Sequence, residues 1–519
     1  MSKHSNIFRQ TMASKLIPVE TYLSLPFLLL FPLFLIVLKH KFSKNLVRIR
    51  LPPGPKPWPI IGNLPLIGDK PHVSMAQISE IYGPLISIRL GTQLVIVGSS
   101  PAAAAAILKT HDRELSGRHV PHVSFAREPK YNRDSIAWTF ECSEEWKNFR
   151  NLMRNELFGS KIVDGQSHIR EKKVTELVKF LGSKEGQTVQ IREVLFVNTF
   201  NSLSNIYLSK DFLAFGGVES KKMAGLVRDM MELWTAPNIS DLYPILGALD
   251  LQGLKRKADV CVKKMCSIWD STIKERRERR NDDHPSKNRD FLDVLLDCGF
   301  SDEQISFVFV ELLAAVSDST TSTVEWALAE LLKNPETMEK LRNELSQEIS
   351  EDFVREEHLA NLPYLYACVK ETLRLHPPAP LLLPHRAIED CEVMKYTIPK
   401  DSQVFVNVWA IARDPTIWKE PLSFKPERFM NSSLDYKGSD FQYLPFGSGR
   451  KICAGMPMAI RQVQLALASL IHHFEWSLPE KMKPQEVDMN EKFGVTLLKL
   501  EPLVVIPKQR CRTDSFIAP

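Results

Sequence analysis

The sequence predicts a mainly α-helical protein with small β-sheets, in which one large domain follows an N-terminal membrane anchor. Helical periodicity dominates between residue 101 and about residue 380. Segments rich in β-branched residues occur on either side, at 85–100 and 392–408. The chain has 519 residues, of which 44% are hydrophobic and 25% charged, and this composition is typical of a folded globular protein.

The N-terminal part predicts an anchor and a spacer. Residues 22–38 carry no charge and are just long enough to cross a membrane as one helix. Lys and Arg are more frequent after this run than before it, so we expect 1–21 to be lumenal and the body cytosolic. A cleaved signal peptide is the alternative, although no small-residue cleavage site follows. Residues 39–64 are first basic and then proline-rich, which predicts a semi-rigid strut or, alternatively, a proline-rich partner-binding segment.

Local signals place several elements of the main domain, 65–519. Gly91 and Thr92 separate the two strands of a predicted hairpin, and a helix opening with proline is expected at 101–111. The charge-rich run at 274–290 predicts a solvated loop, and a last long helix is expected at 455–475.

Charge and cysteine use exclude some classes of protein. The formal net charge of +5 is small for this length and argues against a nucleic-acid binder that relies on a basic face. The eight cysteines form no CxxC pair, which fits free thiols in a reducing compartment better than a disulfide framework or a zinc site.

The sharpest motif is a glycine-rich loop in which Phe446, Gly449, Cys453 and Gly455 have the spacing F-x-x-G-x-x-x-C-x-G. Cys453 comes just before an apolar helix, whose dipole and free N–H groups favour the thiolate. Gly449 is expected to let the backbone pass close to a large flat partner. A single sulfur suits neither zinc nor an iron–sulfur cluster, whereas haem iron takes one axial ligand, and a thiolate there favours O–O cleavage. A dinucleotide loop is excluded because its third glycine is missing, and an inert buried cysteine is the other alternative.

This loop resembles the haem-binding loop of the cytochrome P450 enzymes, and further motifs follow in that family's order. The segment from Glu371 to Arg374 is similar to the family's E-x-x-R helix, and Arg428 in "FKPERF" completes a structural triad. The resemblance spans the whole chain and is closest to the plant microsomal members that oxidise alkaloids. It implies the cytochrome P450 fold, haem b bound through the Cys453 thiolate, and a catalytic domain on the cytosolic side of the endoplasmic reticulum membrane.

The resemblance also implies a set of cofactor-binding residues. Trp146 and Arg150 share a helix face at i, i+4 and are similar to the family's haem-propionate partners, as is Arg386. Lys451 stands where the family usually has Arg, which keeps the charge but loses the bidentate geometry. The full set is Cys453, Trp146, Arg150, Arg386, Phe446, Gly449 and Lys451.

A long helix with a polar middle carries the expected catalytic residues. Ser301 and Gln304 form a capping box, and a proline follows at 335, so the helix is ~50 Å long and must cross the core. In the family this helix carries A-G-x-D/E-T, where the glycine makes room for dioxygen and the acid and alcohol relay protons. Asp318 matches the acid.

The helix also departs from the family pattern. Val316 replaces the glycine and Ser319 replaces the threonine, so either Ser319 or Thr320 carries the relay. The methyl groups of Val316 are expected to crowd these hydroxyls. The departures either leave the reaction unchanged or turn it from oxygen insertion towards rearrangement or coupling.

The implied activity is that of a haem-thiolate oxidoreductase using O2 and NADPH electrons. Because the chain has no flavin loop, a separate NADPH–cytochrome P450 reductase is expected, docking near Lys147, Arg450 and Lys451 unless these form a merely solvated cluster. The substrate is expected to be a plant alkaloid, with rearrangement of littorine to hyoscyamine aldehyde as the specific hypothesis. Hydroxylation or phenol coupling of benzylisoquinoline alkaloids and monoterpenoid hydroxylation stay open, as does a non-catalytic membrane haem sensor.

Pocket residues are implied by the resemblance alone. They lie in the loop 120–137, at Trp234, at 381–383 and at 493–496. The most specific candidates are Ala315, Val316, Leu382 and Val495. Glu128 or Asp134 is a candidate to meet an alkaloid's ammonium group, with a solvated acid as the alternative.

Overall fold

The computed structural model describes residues 50–281 and 289–510. The expected lumenal segment, the membrane span and the basic first part of the strut lie outside the described residues. The chain divides into two units after Leu51, and the description below concerns the unit from Pro52 onward. Among the described residues, one helix is long and apolar enough to cross a membrane. This helix is Asp302–Lys333, and 72% of its apolar window is buried inside the protein.

Helices form most of the domain, as predicted. Those of at least ten residues are Pro71–Tyr82, Glu144–Met153, Ser167–Gly182, Ile191–Leu208, Val218–Thr235, Leu254–Cys266, Asp270–Asn281, Asp302–Lys333, Pro335–Glu348, Pro363–Leu375 and Met456–His473. Shorter α-helices are Pro101–Ala105, Pro129–Asn132, Ser160–Gly165, Ile239–Leu242, Phe291–Asp297 and Val408–Ile411. The helix expected at 101–111 widens into a π-helical turn over Ala106–Thr110.

The small sheets come from distant parts of the chain. A five-stranded sheet contains, in spatial order, Leu85–Leu90, Gln93–Gly98, Gln403–Val406, His385–Arg386 and Gly117–Arg118. A three-stranded sheet contains Val189–Gln190, Val504–Gln509 and Phe474–Ser477, and two hairpins pair Cys391–Val393 with Tyr396–Ile398 and Glu491–Lys492 with Leu498–Lys499. The predicted hairpin around Gly91 is confirmed, with Leu90 opposite Gln93. In the same sheet Arg118 lies opposite His385, although the two are 267 positions apart in the chain.

The helix Asp302–Lys333, here called the central helix, begins and ends where the sequence predicts. The Gln304 amide donates to Ser301 Oγ at 3.2 Å and the Ser301 amide donates to Gln304 Oε1 at 3.0 Å, which closes the capping box. Asn334 follows as the C-cap. The helix packs against Ile191–Leu208 and against Met456–His473, so its middle lies in the core.

The charge-rich run at 274–290 is not a loop over its described first part. Residues 270–281 form a helix, and Arg276 on it donates to Asp290 at 2.9 Å and to Asp293 at 2.8 Å. Glu, Arg and Lys are good helix formers. Ion pairs also hold this helix to the following helix Phe291–Asp297, and the charge-rich sequence alone does not show these pairs.

Candidate active site

Cys453 lies at the N-terminus of the helix Met456–His473, as the sequence predicts. Its side chain is accessible, yet it is set so deep in the protein that burial raises the pKa of the thiol. The amides of Gly455 and Met456 donate to the sulfur and, with the positive charge of Arg150, oppose this rise. The sulfur is therefore accessible and accepts from hydrogen-bond donors suited to a thiolate.

The loop before Cys453 is shaped by a close backbone contact. Gly449 has φ +66°, and a Cβ there would lie 2.2 Å from the carbonyl oxygen of Leu108. A glycine is thus required at position 449 because the backbone of Leu108 packs against it. This reason differs from the one expected from the sequence, which was the close approach of a large flat partner. The Cys453 amide donates to the Phe446 carbonyl at 3.0 Å, and the half-buried Phe446 ring packs edge-on to Tyr436.

Positively charged side chains gather beside this loop. The Lys451 ammonium lies 4.0 Å above the Trp146 ring and has no hydrogen-bond partner. Arg150 stacks on the same ring and donates to the Ile452 carbonyl. Burial lowers the pKa of Arg150, and it lowers that of Lys451 to about 7.

The sequence reasoning missed Arg118, which is 5% exposed and belongs to this cluster. It donates to the Leu383 carbonyl at 2.8 Å, but its Nε has no partner. Burial, with a smaller contribution from the charge of Arg150, lowers its pKa to about 9, although Cys142 opposes this shift. His385, on the paired strand, has its pKa held well below the usual range by burial and by the charges of Arg118 and Lys451. No local motif marks Arg118, because strand pairing alone brings it to the site.

Arg386 is placed differently from the other candidates. Its guanidinium donates to Asp401 at 2.7 Å and to the Phe140 carbonyl at 3.2 Å. Arg118, Arg150 and Lys451, by contrast, form no ion pair with any carboxylate in the described part of the chain. Arg118 is buried and the other two side chains are half-buried, so a bound anion would offset their unpaired positive charge.

Part of the central helix is accessible although the residues around it are buried. Ala315 is exposed and Val316, Asp318 and Ser319 are half-exposed, so they form an accessible strip on a core helix. Thr320 is 2% exposed and lies on the buried side, and its hydroxyl has no partner. The structure thus brings Asp318 and Ser319 together on the strip but not Thr320.

The polar groups of this strip have distinct partners. Burial raises the pKa of Asp318, whereas a hydrogen bond from the Thr496 hydroxyl opposes the rise. The Ser319 hydroxyl donates to the Ala315 carbonyl at 2.8 Å within its own helix. Asp318 is therefore the better placed of the two to exchange a proton.

A second acid of the central helix, Glu311, was not predicted. It is 4% exposed and accepts from the Ser135 hydroxyl at 2.8 Å and from the amides of Ile136 and Ala137 at 3.2 and 2.7 Å. Burial raises its pKa. Glu311 fixes the end of the loop 120–137 to the central helix.

In the Glu371 triad, Glu371 and Arg374 are fully buried and the Arg428 side chain is 13% exposed. Glu371 accepts from Arg374 at 2.7 and 2.8 Å, from Arg428 at 3.0 Å and from the Lys425 amide at 2.8 Å. Arg374 also donates to three carbonyl oxygens, so every partner is satisfied. The triad holds the helix Pro363–Leu375 to the segment that leads to the Cys453 loop.

A cavity of about 240 Å³, here called the Trp234 cavity, lies among several segments expected to form the pocket. Its walls include Trp234, Leu382 and Val495. Val316 does not line it but packs in the same apolar cluster as Val495. Ala315 belongs to the accessible strip of the central helix.

Comparison with known proteins gives the family. The family described as Cytochrome P450 matches residues 52–505. The chain belongs to the cytochrome P450 family. It is therefore a haem-thiolate monooxygenase, as the sequence predicts.

Plant cytochrome P450 enzymes are among its relatives. A probable (S)-N-methylcoclaurine 3'-hydroxylase isozyme 2 from Coptis japonica is 48% identical, over 92% of this chain and 97% of the relative. Corytuberine synthase from the same plant is 44% identical, over 92% of this chain and 96% of the relative. Berbamunine synthase from Berberis stolonifera is 41% identical, over 89% and 94%.

The residues of the site fit the haem of a cytochrome P450. Cys453 would supply a thiolate ligand to its iron, and Arg118, Arg150 and Lys451 would supply positive charge for its carboxylates. When bound, this haem activates dioxygen with electrons that a reductase delivers. The chain's own residues would donate amides to the thiolate, bind the haem carboxylates and hold a proton at Asp318.

Proposed function

We propose that this cytochrome P450 oxidises the aromatic rings of an N-methylated benzylisoquinoline alkaloid, by hydroxylation or phenol coupling. The observation that carries the proposal is the set of three relatives, each at least 41% identical over at least 89% of this chain, whose names specify N-methylcoclaurine, corytuberine and berbamunine.

The Trp234 cavity supports an aromatic substrate. Trp138 and Trp234 meet edge to face with ring centroids 5.6 Å apart, and Phe405 and Phe493 add aromatic surface to the walls. Val495 also lines the cavity and is followed by Thr496, whose hydroxyl bonds Asp318. A ring bound here would approach the accessible strip of the central helix.

Rearrangement of littorine is the second candidate, and Val316 and Ser319 favour it. None of the three relatives above is named for such a rearrangement. Val316 is half-exposed on the accessible strip, and at i, i+3 on a helix its methyl groups would narrow the space beside Ser319. This crowding would disfavour oxygen insertion without preventing hydrogen removal from the substrate.

We further propose an endoplasmic reticulum location and NADPH–cytochrome P450 reductase as the electron donor. Large apolar side chains are exposed on two neighbouring segments: Trp58 (62%) and Ile60 (69%) on the first, and Ile245 (92%) and Leu249 (63%) on the second. The Tyr243 hydroxyl joins the two segments by donating to the Ile60 carbonyl. Such an apolar surface fits a membrane.

The proposed reductase surface loses one of its three expected residues. Lys147 and Arg450 are accessible and pair with Glu144 and Asp112. The Lys451 ammonium is buried and cannot contact a partner protein.

The test is NADPH-dependent turnover in microsomes that contain the reductase, with N-methylcoclaurine or littorine as substrate. The product mass separates the reactions. Hydroxylation adds one oxygen atom, coupling removes two hydrogen atoms, and rearrangement without oxygen insertion adds no oxygen. An oxidised benzylisoquinoline product supports the proposal, and turnover of littorine alone refutes it. A haem sensor would shift its absorption spectrum on ligand binding but consume no NADPH.

A further inference from the structure

The Trp234 cavity contains a carboxylate that nothing in the sequence singles out. Asp241 lies on the short helix Ile239–Leu242 and is the only acid among the cavity's lining residues in the described part of the chain. The two acids considered from the sequence lie elsewhere. Glu128 is exposed, and Asp134 accepts from Gln304 at 2.6 Å.

Asp241 is half-buried and has no direct counter-charge. Its Oδ1 accepts from the His122 amide at 2.7 Å, and no Lys, Arg or His side chain forms an ion pair with it among the described residues. Arg127 and His122 act on it only at longer range, and burial is the main cause of its raised pKa. A partly buried carboxylate without a cation is unfavourable, and a cation in the cavity would relieve that cost.

The neighbouring groups suit a cationic organic ligand. Trp138 and Trp234 line the same cavity, and the faces of tryptophan rings attract ammonium groups. His119 also lines the cavity, but burial lowers its pKa to about 4, so it adds no positive charge near neutral pH. Asp241 therefore faces no competing cation from the cavity walls.

We propose that Asp241 binds the protonated amine of the substrate and selects cationic alkaloids over neutral molecules of the same shape. This assignment rests on the proposed function, because it names the charge of the substrate for the same cavity. Asp241 acts as a specificity-determining residue: it accepts a charge-assisted hydrogen bond from the ammonium while the His122 amide keeps the carboxylate oriented.

The test uses the haem-loaded enzyme in microsomes and two ligands. The first is N-methylcoclaurine, and the second is its carbocyclic analogue, in which carbon replaces the basic nitrogen. Asp241→Asn removes the charge but keeps the Oδ1 acceptor for His122. Glu128→Gln removes one exposed negative charge as the matched control. Substrate-induced shifts of the Soret band give each Kd, and the reduced carbon monoxide spectrum measures the amount of folded enzyme.

Asp241→Asn should raise the Kd of N-methylcoclaurine about 10- to 100-fold and leave that of the neutral analogue unchanged. Glu128→Gln should alter neither. An unchanged Kd for the amine, or an equal loss for both ligands, overturns the assignment while leaving the proposed function intact. If Asp241→Asn does not fold, the wild-type enzyme must still prefer the amine about 10-fold or more, and equal affinity overturns the assignment. If the wild-type enzyme binds neither ligand, the proposed function falls and this assignment falls with it.

Discussion

Arg118 provides a sharp test of how the protein holds its haem. We consider Arg118→Met, which removes the guanidinium but keeps an apolar stem of similar length, and Arg118→Lys, which keeps the charge. Arg118 is 5% exposed, its Nε has no partner and it forms one hydrogen bond, to the Leu383 carbonyl. Its strand pairing with His385 uses main-chain atoms and is unaffected by either change.

The size of the effect follows from the burial of the charge. Burial lowers the pKa of Arg118 to about 9, which corresponds to roughly 3 to 5 kcal/mol of unfavourable burial. A haem carboxylate bound to the guanidinium would offset this cost. One charge-assisted hydrogen bond of this kind is worth about 1.5 to 3 kcal/mol, so Arg118→Met should accelerate haem loss about 10- to 100-fold. The rate of haem loss in Arg118→Lys should lie between those of the wild type and Arg118→Met, because lysine keeps the charge without the planar donor geometry.

The assay follows the Soret absorbance while haem passes from the holoenzyme to an excess of a haem-scavenging protein. Arg113→Met is the matched control, because Arg113 is exposed and this substitution removes the same charge five residues away. Haem loss at the wild-type rate in Arg118→Met would refute the assignment. Equal acceleration in Arg113→Met would show that net charge, and not a direct contact, causes the effect.

Three further variants test the triad and the central helix. Glu371→Ala leaves the buried Arg374 without its carboxylate and should cost ~3–5 kcal/mol of stability, measured by thermal unfolding, whereas Glu420→Ala at an exposed carboxylate should leave the melting temperature unchanged. Asp318→Asn should lower turnover at least about 100-fold if the carboxyl relays protons, and normal turnover would refute the relay. Burial raises the folded-state pKa of Asp318, so the fold disfavours its charged form. The wild type therefore loses stability as pH rises from the unfolded-state pKa of this carboxyl through its folded-state pKa. The stability gained by Asp318→Asn in urea unfolding should therefore be greater at neutral than at acid pH. Val316→Gly should increase the share of product carrying a new oxygen, measured by mass spectrometry, at a stability cost of about 1 kcal/mol or more, and an unchanged share would mean that Val316 has no effect on the reaction.

Local sequence signals predict those parts of the structure that local physics determines. The central helix begins at its capping box because Ser301 and Gln304 satisfy each other's amides within four residues. The position of Cys453 at a helix N-terminus likewise follows from the glycine-rich loop and the apolar run behind it. The family's motifs add the Glu371 triad, whose members the structure joins at hydrogen-bond distance.

The remaining features depend on contacts between distant segments. Arg118 reaches the cation cluster because its strand pairs with His385, and Asp241 reaches the cavity through the packing of a short helix. Lys451 resembles a surface charge in the sequence, but its ammonium is covered by the Trp146 ring. Thr320 resembles a relay hydroxyl, but the rotation of the central helix turns it into the core. None of these placements leaves a local pattern in the sequence.

The most direct test of the central claim is the absorption spectrum of the dithionite-reduced, carbon monoxide-bound protein in microsomes. The claim is that Cys453 provides the axial thiolate of the haem, and the wild type should show the strongly red-shifted Soret band of thiolate ligation. Cys453→Ala should abolish this band, whereas Cys298→Ala, which removes an exposed thiol, should retain it. A band typical of histidine-ligated haem in the wild type, or an unchanged band in Cys453→Ala, would contradict the claim.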